Sequence, residues 1–175
     1  MGSLDRVAHD TSHSPSTGVD MDAWLQDPAV SRIVNAFAVE LAVRYMREAA
    51  QIFGNDYECA MIFLAVLEAN GRQNIREPSF STEYADVRVS IPAAMARPIS
   101  RQAIAVSLGL PRVRVRRKIA AVIEKGFLVA ADRGGVITAR GGIANEEFLA
   151  AQKRVIGYVR QFRSDLLRHA GAPSR

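Results

Sequence analysis

Apolar residues recur at spacings of three and four along most of this chain, so the pattern predicts helices first and strands in one place only. The longest periodic stretch runs from Pro28 to Phe53, with Gly54 as its stop. It carries two apolar stripes. One is Val30, Val34, Phe37, Leu41, Tyr45, Ala49 and Ile52; the other is Ile33, Ala36, Val39, Val43, Met46, Ala50 and Phe53. Arg44, Arg47, Glu48 and Gln51 fall in a narrower strip. So wide an arc exceeds what one contact needs. One side is expected to pack on its own domain and the other on a second subunit; the alternative is full burial within the monomer.

Asn55 and Glu58 have the spacing of a capping box and open a second helix that runs to about Asn70, before Gly71. Between Tyr57 and Ala69 only Glu58 and Glu68 are charged, which predicts a central, buried helix. Residues 72–98 are less regular. Pro78, Pro92 and Pro98 interrupt them, and Glu83–Ile91 suits either a short helix or a strand. They read as an insertion: a flap, a partner-binding loop or an elaboration.

From Ile99 to Thr138 the punctuation is strong. Ser100 caps a helix with Ala103, Ile104 and Leu108 on one face, and Gly109 ends it. Pro111 fits a first helical position, and a helix to about Lys125 turns Val115, Ile119, Val122 and Ile123 inward before Gly126. Leu128–Ala130 and Val136–Thr138 read as strands joined by a turn at Asp132-Arg133-Gly134-Gly135. Arg140-Gly141-Gly142 then breaks the chain, and Asn145 caps a last helix to about His169. Phe148, Ala151, Val155, Tyr158, Val159, Phe162 and Leu166 make its stripe.

Charge changes the picture of the middle stretch. No acidic residue lies between Asp86 and Glu124, an interval that holds Arg88, Arg97, Arg101, Arg112, Arg114, Arg116, Arg117 and Lys118. Ser100–Arg140 has nine Lys/Arg against two Asp/Glu, a net of +7, in a chain of net +5. The basic excess is therefore local, as the footprint for a polyanion is. The bland reading is a solvated charged face. A helix aliphatic inside and Arg-rich outside, opening after a Gly turn, suits the major groove of duplex DNA instead.

Ile104-Ala105, Leu108-Gly109-Leu110, Val115, Arg117, Ile119, Glu124 and Gly126-Phe127-Leu128 resemble the winged helix-turn-helix of bacterial transcription regulators, with the spacing of the Crp/Fnr-type DNA-binding domain. The resemblance covers about forty residues. It implies that Arg112, Val113 and Arg117 occupy positions reaching base edges or phosphates. Val113 departs from that pattern, because an apolar side chain accepts no hydrogen bond from cytosine N4. Pro111 replaces the family's capping Ser/Thr, Arg116 stands where it has Ser, and the upstream cyclic-nucleotide-type β-barrel is absent. The helices flanking this unit resemble the dimerisation arms of MarR-type regulators; the alternative for the last one is folding back onto its own monomer.

The expected fold is therefore mostly α: a winged helix-turn-helix, with a three-helix core and a β-hairpin wing, between N- and C-terminal flanking helices. Its parts are a disordered tail (1–27), a dimerisation helix (28–54), the winged domain (55–142, insertion 72–98), and a C-terminal dimerisation helix with its tail (143–175). The expected function is sequence-specific binding of duplex DNA by a homodimeric regulator. Arg112, Arg116, Arg117 and Val113 are expected at base edges; Arg101, Arg114, Lys118 and Arg133 are expected mainly at phosphates. A winged helix serving as a protein-interaction module is the runner-up. A third reading places a small-molecule effector among Phe37, Tyr45, Phe53, Tyr57 and Phe63, which at helical spacing also suit the core.

No Walker loop, dinucleotide fingerprint, H-E-x-x-H, CxxC pair or nucleophile elbow occurs, so no enzyme, cofactor or metal site is expected. His9 and His13 are four apart in the expected tail but lack a third ligand. A single cysteine, Cys59, fits a reducing cytoplasm, and the absence of a long apolar run excludes a spanning helix.

Overall fold

The computed structural model describes residues 20–72, 78–84, 86, 89, 92 and 95–170. His9, His13, the first part of the expected tail, much of the 72–98 insertion and residues 171–175 lie outside the described residues. The described residues are mostly helical, with one small three-stranded antiparallel sheet.

The helices are α1 (Met21–Gln26), α2 (Ser31–Ile52), α3 (Tyr57–Gly71), α4 (Pro78–Glu83), α5 (Arg101–Leu108), α6 (Arg112–Glu124), α7 (Arg140–Ile143) and α8 (Glu146–Ala170). The strands are β1 (Ile99–Ser100), β2 (Leu128–Ala130) and β3 (Gly135–Thr138). Within the disordered tail expected over 1–27, Met21–Gln26 instead form α1. Asp20 caps α1 by accepting from the Asp22 and Ala23 N–H groups, and α1 packs on α2 and α8.

Several ends differ from the sequence expectation for local reasons. The stretch from Pro28 begins as a single 3-10 turn before α2. Asp56, not Asn55, caps α3, its carboxylate accepting the Cys59 N–H at 3.1 Å. Asn55 has left-handed backbone (φ 65°) and belongs to the turn. Pro111 is the N-cap of α6, with extended backbone, and its carbonyl receives the Val115 N–H. In α5 it is Ala105, with Ile104, that is buried, while Ala103 is exposed. Ser100 caps α5 through the Ala103 N–H at 3.0 Å, and Gly109 (φ 64°) supplies the left-handed turn that a side chain would strain.

The sheet has the order β1-β3-β2. Val129 pairs with Ile137, as the hairpin reading expects, and β1, unforeseen, pairs Ile99 with Val136. Buried Asn70, at the end of α3, ties the sheet down. Its Nδ2 donates to the Arg97 carbonyl and its Oδ1 accepts from the Thr138 backbone N–H at 2.9 Å. The expected break at 140–142 is instead the short helix α7. There Gly142 sits so close to the preceding loop that a Cβ would stand 2.6 Å from Phe127 Cα.

The core lies where α3, buried along Cys59, Ala60, Ile62, Phe63 and Val66, meets α5, α6 and β3. Ile104, Val115, Ile119, Val122, Leu128 and Val136 close around it. The two long flanking helices, expected to reach a second subunit, pair with each other within the chain, and theirs is the most extensive element contact. Phe37 meets His169 with ring centroids 5.3 Å apart, and Glu48 meets Arg154 and Tyr158, so the helices run antiparallel. The first stripe of α2 faces α8. Of the second, Ile33, Val39 and Val43 stay exposed. Among the described residues no helix is long and apolar enough to cross a membrane.

Candidate nucleic-acid interface

Helix α6 exists because Val115, Ile119 and Val122 give it one buried face and the Gly109-Leu110-Pro111 turn sets its start. With that face fixed, a 3.6-residue period turns Val113, Arg117 and Ala120 directly outward, with Arg112, Arg114 and Arg116 on the flanks. All six are exposed, Val113 at 76%. Among the described residues Arg112, Arg116 and Arg117 have no hydrogen-bond or ion-pair partner. Pro111, Val113, Arg114 and Arg117 together border an open concavity on this face.

The other two cations of α6 are engaged by the protein. The Lys118 ammonium donates to Asp56 Oδ2 and lies 3.7 Å from Glu58 Oε2, with only 18% of its side chain exposed. Arg114 donates to Glu58 Oε1 at 3.1 Å. Both acids sit at the N-terminal end of α3, where negative charge also suits the helix dipole. Lys118 and Arg114 thus fasten α6 to α3 rather than standing free. The Lys118 hydrogen bond and the Cys59 N–H hold the Asp56 carboxyl below its ordinary range against the upward pull of burial, while Asp56 raises Lys118. Burial, and then the Asp56 charge, push the Cys59 thiol up to about 11, so it stays protonated and unreactive.

The hairpin side is fixed separately. Arg101, the first residue of α5, donates through a guanidinium nitrogen to the Gly134 carbonyl at 2.7 Å. Gly134 ends the Asp132–Gly134 turn between β2 and β3, and Arg133 lies within that turn. Of the eight residues singled out in the sequence, the structure gathers Arg112, Val113, Arg114, Arg116 and Arg117 on one surface. Arg101 and Arg133 belong to the hairpin end, and Lys118 is half-buried behind α6. Asp56 and Glu58 were missed as partners. The signal available was a pair of acids two residues apart at a helix start, in a chain whose next helices but one are basic.

The five aromatics weighed as an effector site gather only in part: Phe53 and Phe63 touch, and Tyr45 lines a small cavity with Phe63, while Tyr57 and Phe37 stand apart. Phe53 and Phe63 are core, Tyr57 is 49% exposed, and Phe37 packs on His169. Among the described residues no cluster of three or more His, Cys, Asp or Glu is placed to hold a metal ion.

Replacing Asp56 by alanine removes the α3 cap and leaves Lys118 without its nearest partner, and is expected to cost about 1–3 kcal/mol. A carboxyl whose folded pKa is depressed contributes stability above its unfolded value of about 4, and that contribution is lost as pH falls through the folded value. Denaturant titrations should therefore show the gap between Asp56→Ala and the parent at pH 7 narrowing below pH 4. A gap independent of pH would show that the Asp56–Lys118 pair contributes nothing.

Comparison with family models, with curated proteins and with solved structures yields no match.

Proposed function

We propose that α3, α5 and α6 with the three-stranded sheet form a winged helix-turn-helix, and that the chain is a sequence-specific DNA-binding regulator of transcription acting as a homodimer. The observation that carries this reading is the outward face of α6. Three unpartnered guanidiniums surround an exposed valine there, Asp56 and Glu58 are engaged by Lys118 and Arg114, and Glu124, the acid on the same stripe, lies at the far end of the helix. A single 13-residue helix is about 20 Å long and fits a groove about 12 Å wide. In this reading Arg112, Arg116, Arg117 and Val113 meet base edges, and Arg101 and Arg133 meet phosphates. Arg114 and Lys118, expected at phosphates from sequence, act mainly by fixing the tilt of α6 on α3.

Selection from random duplex DNA followed by substitution tests it. Arg117→Ala should cost about 1–3 kcal/mol and relax preference at one base pair, as loss of a bidentate contact to guanine does. Arg133→Ala should weaken all sequences alike. Equal, sequence-blind losses would remove Arg117 as a reader of bases.

The dimer rests on what the α2–α8 pairing leaves uncovered: Ile33, Val39 and Val43 on α2, and Ile156, Val159 and Leu167 on α8, each at least 36% exposed. A two-fold pair would read half-sites about one helical turn apart. Sedimentation at micromolar concentration should show a dimer that Val43→Glu dissociates. A clean monomer with and without DNA would rule the pairing out.

A further inference from the structure

We propose that Val113 reads the 5-methyl group of a thymine, so that the preferred duplex carries thymine at a fixed place close to the guanine read by Arg117. This deepens the DNA-binding reading and rests on it. Val113 is 76% exposed in the first turn of α6, although Val115, two residues on, satisfies the helix's need for a buried valine. None of the described residues covers it, and its surroundings argue against a protein or lipid covering. Arg112, Arg114, Arg116 and Arg117 ring it, and three of them lack partners among the described residues. An apolar spot whose charged neighbours on the helix are all cations complements a surface that is anionic overall and apolar at isolated points. The major groove is such a surface: phosphates line its walls, and the thymine methyl is the one apolar group on its floor.

Geometry narrows the register. Val113 and Arg117 are four residues apart on the same outward stripe, hence about 6 Å along the helix. Successive base pairs are about 3.4 Å apart, so the two side chains serve positions no more than two steps apart. The valine gives no hydrogen bond, and hydrogen bonding alone cannot account for preference at its position. Its discrimination is steric and hydrophobic: a methyl buried against two valine methyls, against a bare edge when the base is uracil or cytosine.

The experiment uses the duplex that the full chain enriches from a random library, synthesised with thymine and again with every thymine replaced by deoxyuridine. The two differ only in the 5-methyl groups. The parent chain should bind the thymine duplex about fourfold more tightly per half-site, the worth of one buried methyl. Val113→Ser should bind both at the uracil level with unchanged helicity, since the side chain is exposed. Equal binding of the two duplexes, with salt-dependent affinity intact, would overturn the valine–thymine contact and leave the DNA-binding reading standing. Discrimination that survives Val113→Ser would overturn it too, placing the methyl against another residue. Absence of salt-dependent binding to either duplex would remove the DNA-binding reading and this inference with it.

Discussion

Raising monovalent salt from 50 to 200 mM should weaken binding of this chain to duplex DNA by about two orders of magnitude for each protomer engaged. The segment Ser100–Arg140 is net +7, but not all of that charge is available. Lys118 and Arg114 are paired with Asp56 and Glu58, which leaves Arg112, Arg116, Arg117 and the hairpin-end arginines. A cation in the groove offsets phosphate charge even when it ends on a base edge. If about four phosphates are neutralised in this way per protomer, counterion release gives a slope of log K against log[salt] near −3.6, and a fourfold rise in salt then costs about 10²-fold. A dimer on two half-sites doubles the slope. Fluorescence anisotropy across a salt series measures it directly. A slope of zero would end the DNA-binding proposal and return the chain to the runner-up, a winged helix that assembles with protein. Asp56→Ala, which frees Lys118, should leave the slope unchanged or steepen it.

Phe63→Ala should cost about 3–5 kcal/mol, the largest stability loss expected of any single substitution discussed. Phe63 is 1% exposed, and its ring lies 5.6 Å from Phe53, 5.5 Å from Phe127 and 5.8 Å from Phe148, centroid to centroid. Those neighbours come from the end of α2, the approach to β2 and the start of α8, so one ring joins the sheet-bearing body to both long helices. Removing it leaves a cavity walled by three stiff rings that cannot collapse inward without losing their own contacts. For a chain of this length the loss corresponds to a fall in Tm of roughly 6–20 °C. Val113→Ala, on the open face of α6, should change Tm by no more than a degree or two. A Phe63→Ala chain that melts with the parent would mean the aromatic cluster does not hold the two parts together.

The elements legible in the sequence are those with their own punctuation. Ser100, Gly109, Gly126 and Asn145 act on the chain within four residues of themselves, and each ends or starts a helix where expected. The features that escaped are made by distant partners. Strand β1 is two residues long and has no period; Ile99 is extended because Val136 pairs with it. The apolar arc of α2 says that something covers it but not what, and α8, a hundred residues on, is the answer. Likewise the Arg cluster was visible as charge, whereas the pairing of Lys118 with Asp56 is a contact across 62 residues that no local pattern encodes. The cap of α3 fell one residue from its expected place because Asn55 is taken up by the turn. Val113 stood out for a different reason: it broke the resemblance, and the structure leaves it bare.

The pairing of α2 with α8 also sets an order of events during synthesis. Glu48 finds Arg154 and Tyr158 across 106 and 110 residues, while α3, α5, α6 and the sheet lie between Tyr57 and Thr138. At about 5–20 residues per second, α2 leaves the ribosome some 5–20 seconds before its partner exists. During that interval the inner stripe of α2 is bare, and the nascent chain is open to chaperones and to other nascent copies. The central body waits less: α3 meets β3 across 68 residues, through Asn70 and Thr138. Its last strand is synthesised before α8 begins, so the closing of the long helices over Phe63 is the last step.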